Sequence, residues 1–133
     1  MTSRPALLDT SVLIPRETGR PLDAAALPAE TAVSVITLAE LHAGVLAARD
    51  TETRSRRLAT LEAVSVVEPL PVTAEVARHW ARLRVGLAEA GRRAKVNDLW
   101  IAAVAAANGM DVVTQDDDFD PIEEVGGPRV VRV

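Results

Sequence analysis

Five carboxylates in this chain stand where an acid has chemistry to do. Asp9 ends the apolar run Ala6-Leu7-Leu8; Glu40 and Asp98 open predicted helices at Thr37-Leu38-Ala39-Glu40 and Val96-Asn97-Asp98; Asp116 follows the run Val112-Val113-Thr114, with Asp118 two residues on. An oxygen-only cluster drawn from distant parts of a chain selects a hard cation such as Mg²⁺ or Mn²⁺, and such cations mostly serve phosphate chemistry. A plainer use exists for each acid. Asp9 can cap a helix, Glu40 can close a capping box with Thr37, and Asp98 can answer a helix dipole. The run from Asp116 to Asp120 can be a solvated turn. Asp98 argues hardest against the plain reading, because the helix it opens is apolar on nearly every side and an ionised group is costly in a core unless paired or metal-bound. Asp116 is favoured as the fourth acid since it follows its strand most closely, with Asp118 next; the two are not exclusive.

Other chemistries fare worse. There is no cysteine, hence no thiolate zinc site and no cysteine nucleophile. His42 and His79 lack metal-ligand spacing, and neither a Walker A loop nor G-x-G-x-x-G occurs. Trp80 and Trp100 sit among aliphatic residues at helical spacing and read as core.

The elements that must position these acids alternate between short apolar runs and helical stretches, which predicts an α/β domain with a parallel sheet. Strands are expected at Ala6–Leu8, Ala32–Ile36, Val64–Val67, Asp111–Thr114 and Val130–Val133. Helices are expected from Thr37 to about Ala48, from Thr51 to Glu62, from a Thr73 cap to near Gly91, and from Asn97 or Asp98 to Ala107, stopped by Asn108-Gly109. With Asp9 directly after a central strand, the acids fall at the carboxyl edge of the sheet, where open α/β folds bind ligands.

At 133 residues one domain over 1–133 is expected, with a core that needs no staples. The start Met1-Thr2-Ser3-Arg4-Pro5 lacks the pattern of a signal peptide, and no apolar run approaches the ~20 residues of a membrane span. A cytoplasmic protein is therefore expected. The net charge of −4 argues mildly against a nucleic-acid partner, but its distribution softens that. Six basic residues face one acid between Arg78 and Lys95, whereas Asp111 to Glu124 holds seven acids and no base.

Leu7-Leu8-Asp9-Thr10-Ser11-Val12-Leu13-Ile14, Thr37-x-x-Glu40-Leu41, Asn97-Asp98-x-x-Ile101-Ala102-Ala103 and Val113-Thr114-x-Asp116-x-Asp118-Phe119 together resemble the PIN-domain ribonucleases, and more narrowly the VapC toxins of type II toxin–antitoxin pairs. The resemblance runs from about Leu7 to Val133. It implies a Rossmann-like three-layer α/β/α fold, Mg²⁺- or Mn²⁺-dependent RNA cleavage, a homodimer and a small VapB-like antitoxin. It places the family's acids on Asp9, Glu40 and Asp98, with Asp116 or Asp118 as the fourth, and its hydroxyls on Thr10 or Ser11 and on Thr114. Two rivals stay open: a metal-dependent phosphatase on a doubly wound sheet, and a PIN-like module that binds without cutting.

Overall fold

The computed structural model describes residues 4–14 and 19–133. Met1 to Ser3, on which the expectation of no leader partly rests, lie outside the described residues. Four strands form one parallel sheet: β1 (Ala6–Leu8), β2 (Thr31–Ala32), β3 (Asp111–Thr114) and β4 (Val130–Arg132), in the order β2-β1-β3-β4. Leu7 pairs with Ala32 on one side and Val112 on the other, and Val113 pairs with Val131. Because β2 and β3 flank β1 on opposite sides, the chain order reverses at β1. The gap between the carboxyl ends of β1 and β3 is therefore the topological switch point of the sheet.

The helices are α1 (Thr10–Leu13), α2 (Val35–Ala47), α3 (Thr51–Val64), α4 (Ala74–Glu89), α5 (Val96–Ala107) and α6 (Asp120–Glu124), with a short 3₁₀ turn at Ala24–Ala26. Side chains alternate across the strands. Leu7 and Val112 enter the larger core with Val76, Leu83, Leu87, Ile101, Val104, Phe119 and Ile122 from α4, α5 and the α6 region. Ala6 and Val113 face the other way, onto Val12 of α1, Leu22, Leu27 and Val131. Helix α5 is the buried one, with Leu99 and Ile101 to Ala105 all inside. None of the described helices is long and apolar enough to cross a membrane.

The structure revises four local expectations. The strand expected at Ala32–Ile36 is only Thr31–Ala32, because a helix capped by Ser34 begins at Val35. Helix α2 is capped by Ser34, whose side chain accepts from the Thr37 amide at 3.2 Å, so Thr37 and Glu40 lie inside the helix and form no capping box. Helix α5 starts at Val96, ahead of Asn97, which puts Asp98 at the third helical position. Val64–Val67 is not a strand: α3 runs through Val64, and Ser65 N still donates to Leu61 O at 2.9 Å. The pairing expected there occurs at Leu70 instead, whose amide donates to Val33 O and whose carbonyl accepts from Val35 N. Leu70 lies between Pro69 and Pro71, and prolines, lacking an amide donor, suit the edge of a sheet.

The turn after α6 is tight. The Gly127 amide donates to Ile122 O at 2.9 Å, and a Cβ on Gly127 would lie 2.5 Å from that oxygen and 2.7 Å from Ile122 Cγ2. Ile122 is buried against the main core, so neither atom can give way freely. Gly127→Ala is expected to destabilise the fold by about 1–3 kcal/mol. The measurement is a urea titration, where the midpoint should fall with the slope unchanged.

Candidate active site

Asp9 leaves the end of β1 in extended backbone at φ −70, ψ 153, and although it stands at the start of α1 its side chain makes no capping bond there. Its Oδ2 instead accepts from Ser11 Oγ at 2.8 Å and Thr114 Oγ1 at 2.9 Å. These hydroxyls are themselves fixed from behind: Ser11 Oγ accepts from the Gln115 amide and Thr114 Oγ1 from the Asp116 amide, each at 3.0 Å. The ends of β1 and β3 are thus joined through one buried carboxylate, 4% exposed. Such a short polar network, with each member satisfied, orients its carboxylate tightly.

Glu40 reaches the same region from α2. Thr10 Oγ1 donates to Glu40 Oε1 at 2.7 Å and lies 3.2 Å from the Thr37 hydroxyl. Thr37 and Glu40, three apart on a helix, share a face. Thr10 and Ser11 therefore divide the work that the sequence left open between them: Ser11 serves Asp9, and Thr10 serves Glu40.

Asp98 enters at the start of α5, half-buried. Burial pushes its carboxyl up to about 7, the charges of Asp9 and Asp118 add to that, Lys95 opposes it, and Glu40 adds a smaller push. Asp9 is also held above the usual carboxylate range, by burial first; the Ser11 and Thr114 hydroxyls oppose the shift and the charge of Asp116 adds to it. All five acids singled out from the sequence thus act on one another electrostatically. Such mutual repulsion, which a helix N-terminus would ordinarily relieve, is a mark of a functional site.

Two acids have cationic partners that the sequence did not suggest. Arg20 Nη2 lies 2.5 Å from Asp116 Oδ1 while its Nη1 donates to Gln115 O, and Lys95 Nζ lies 2.9 Å from Asp118 Oδ2. Arg132 joins Asp117 at 3.0 Å and Asp120 at 2.5 Å, and its Nε donates to Asp116 O. The acidic run after β3 is therefore pinned by bases from three distant parts of the chain. None of these pairings has a local signal, since Arg20 falls in the segment with least pattern and Arg132 is next to last.

The expected cage is looser than foreseen. Among the described residues, no three acidic or histidine side chains are set to hold one metal ion as they stand. The donor set nonetheless suits a hard divalent ion: every candidate ligand is a carboxylate oxygen, and Asp98, raised first by burial and then by the charges of Asp9 and Asp118, is only partly relieved by Lys95. Mg²⁺ takes few direct carboxylates and keeps several waters, so a partly pre-arranged set is chemically adequate.

A PIN-domain family model matches residues 6–125, from β1 through α6. The chain belongs to the PIN-domain family. Among relatives, this PIN domain is 54% identical to Ribonuclease VapC5 of Mycobacterium tuberculosis over 135 residues, covering all of both chains. It is 42% identical to Ribonuclease VapC4 of the same organism over 125 residues, covering 94% of this chain and 96% of that one. Its fold superimposes on a crystal structure of VapBC-5, a member of the VapBC family of toxin–antitoxin systems from Mycobacterium tuberculosis. The TM-score is 0.91 at 51% identity, over 98% of this chain and 100% of that one. A DNA-bound VapBC from Salmonella typhimurium matches with a TM-score of 0.76 at 26% identity, covering 98% of each chain. The PIN-domain and VapC resemblance in the sequence is thus established by two independent comparisons, of sequence and of shape.

Proposed function

We propose that this PIN domain, acting as one unit over residues 1–133, is a VapC-type endoribonuclease and the toxin of a type II toxin–antitoxin pair. The observation that carries the reading is the set of acids within electrostatic reach of one another beside the switch point of the sheet, Asp9, Glu40, Asp98, Asp116 and Asp118, with Asp98 raised to about 7 by burial first and by the charges of Asp9 and Asp118 next. The names of the VapC relatives support the same activity.

Asp9 and Asp98 would hold Mg²⁺ or Mn²⁺, with Glu40 and Asp116 assisting through water. Bound there, the ion supplies charge for the scissile phosphate and a water of lowered pKa. The chain's own groups do the rest. Ser11 and Thr114 fix Asp9 from one side, and Thr10 fixes Glu40, so the carboxylates need little reorganisation. Lys95 and Arg20, paired with Asp118 and Asp116, temper the field that an anionic substrate meets.

The decisive experiment measures cleavage of single-stranded and structured RNA, with and without Mn²⁺, beside hydrolysis of a small phosphate ester. RNA cleavage alone supports the proposal. Ester hydrolysis alone would make the protein a phosphatase, and neither activity would leave a binding module.

A VapB-like antitoxin, a homodimer and a cytoplasmic setting belong to the same proposal. A groove of about 1040 Å³ runs between the end of α1 and α3, lined in part by Leu13, Ile14, Ala59 and Ala63. It offers an apolar seat for an antitoxin segment whose Arg or Lys would then reach the carboxylates. Ala59→Arg, at an exposed position of the groove, should weaken antitoxin binding by more than about tenfold by putting bulk and an unpaired charge in that seat, and leave RNA cleavage unchanged. Titration calorimetry against the antitoxin checks this. For a homodimer, Val66, Val67 and Val72 between α3 and α4 are exposed apolar residues available to a second copy; sedimentation gives the answer.

A further inference from the structure

Of the basic run between Arg78 and Lys95, only Lys95 has a part in the site described so far. Most of its cations near the acids are already engaged. Arg92 pairs with Glu124 and Lys95 with Asp118, while Arg82 lies against Gly126 O and His79. Arg93 differs: it is exposed and makes no hydrogen bond or ion pair among the described residues.

Arg93 also has a defined place. With Ala94 and Lys95 it lines one wall of a cleft of about 360 Å³ whose other residues are Asp117, Asp118 and Pro121. Asp118 is one of the acids acting on Asp98, so the cleft adjoins the proposed reaction centre. An unpaired guanidinium on the wall of a cleft beside a field of carboxylates is suited to one kind of ligand, an anion that must lie next to that field. A phosphodiester strand is such a ligand, and Arg grips a phosphate through a planar fork of donors. The opposite wall carries acids, so a strand would track the Arg93 side. Lys95, 73% exposed at its side chain and paired among the described residues with Asp118, supplies a second contact.

We propose that the cleft walled by Arg93 and Lys95 is the track for the RNA strand on one side of the scissile phosphate, with Arg93 a positioning residue that binds a non-reacting phosphate. This rests on the ribonuclease reading and deepens it by assigning where the substrate runs. A phosphate contact away from the reacting bond binds ground state and transition state alike, so it sets KM and leaves kcat unchanged.

The test compares the full-length parent with Arg93→Gln and with Arg84→Gln, an exposed arginine of α4 outside the cleft. The probes are a single-stranded RNA oligonucleotide for steady-state cleavage with Mn²⁺ and the same oligonucleotide, fluorescently labelled, for binding over a salt series. Arg93→Gln should raise KM several-fold with kcat kept. It should also flatten the slope of log binding constant against log salt by about 0.7, the value for one phosphate contact on a single strand. Arg84→Gln should change neither. An unchanged KM and slope in Arg93→Gln, or equal losses in both variants, would overturn the track. A parent that binds RNA through Arg93 without cutting it would refute the ribonuclease reading and keep the track; a parent that neither binds nor cuts overturns both.

Discussion

Asp98→Asn protein is expected to cleave RNA more than about a hundredfold more slowly than the parent, a loss that even an outer partner of a metal ligand can cause, and yet to be the more stable protein at pH 8 without metal. The sign follows from the shift. The Asp98 carboxyl moves from 3.8 in its ordinary state to about 7 in the fold, so between these values the unfolded chain loses a proton that the folded chain keeps. Stability therefore falls as pH rises through that window. Below pH 3.8 the acid is neutral in both states and costs nothing; above about 7 the full penalty applies. At 1.36 kcal/mol per unit the upper bound is about 4 kcal/mol, and solvent screening of a half-buried group leaves about 2 kcal/mol of it. Asparagine has the shape and no charge, so it removes the penalty. Thermal melts in chelator should show the variant ahead by several degrees at pH 8 and level with the parent near pH 3.5. Equal melting at both pH values would mean that neither burial nor neighbouring charge raises Asp98, and unimpaired cleavage would remove it from the reaction.

Mn²⁺ should act in the opposite direction on the parent. An ion that binds only the folded state stabilises it by about 2.7 kcal/mol at a hundredfold excess over its Kd. At about 2.1 cal/mol/K per residue, a chain of this length should then melt about 10 °C higher. Protons compete for the same carboxylates, so the rise should shrink as pH falls toward 5. Asp9→Asn, which removes the charge at the junction of β1 and β3, should lose most of the rise. If Asp9→Asn and the parent gained equally, the ion would be binding elsewhere, for instance in the acidic run from Asp116 to Glu124.

What the sequence made legible was the part written in short-range pattern. Strands β1, β3 and β4 stand out as apolar runs, and Thr73 caps α4 as its position suggests, accepting from Val76 N at 3.3 Å. Asp9, Asp98, Asp116 and Asp118 are legible for the same reason, since each stands near an element boundary that the pattern marks, whereas Glu40 lies inside α2 and was singled out through a capping box that does not form. Thr37 has a capping side chain but lies inside α2; Ser34 is the cap, because it still pairs with Leu70 when the helix begins. Val64-Ser65-Val66-Val67 has the composition of a strand but lies in the last turn and exit of α3, where the Ser65 and Val67 amides donate back to Leu61 O and Val64 O. The counter-ions Arg20, Lys95 and Arg132 were beyond reach for a different reason. Each meets its acid across 12 to 96 positions, and charge alone carries no address at that range.

The two tryptophans are the only ones in the chain, and they are stacked on each other, ring centroids 5.0 Å apart and planes 18° from parallel. Trp80 belongs to α4 and Trp100 to α5, the helix whose first turn carries Asp98. Two indoles this close couple their electronic transitions, and the coupled signal in near-ultraviolet circular dichroism depends steeply on their separation and tilt. The protein thus carries a built-in optical ruler between α4 and α5. A movement of α5 on loading the acids at its start would alter that signal, with no label attached and no residue of the site replaced.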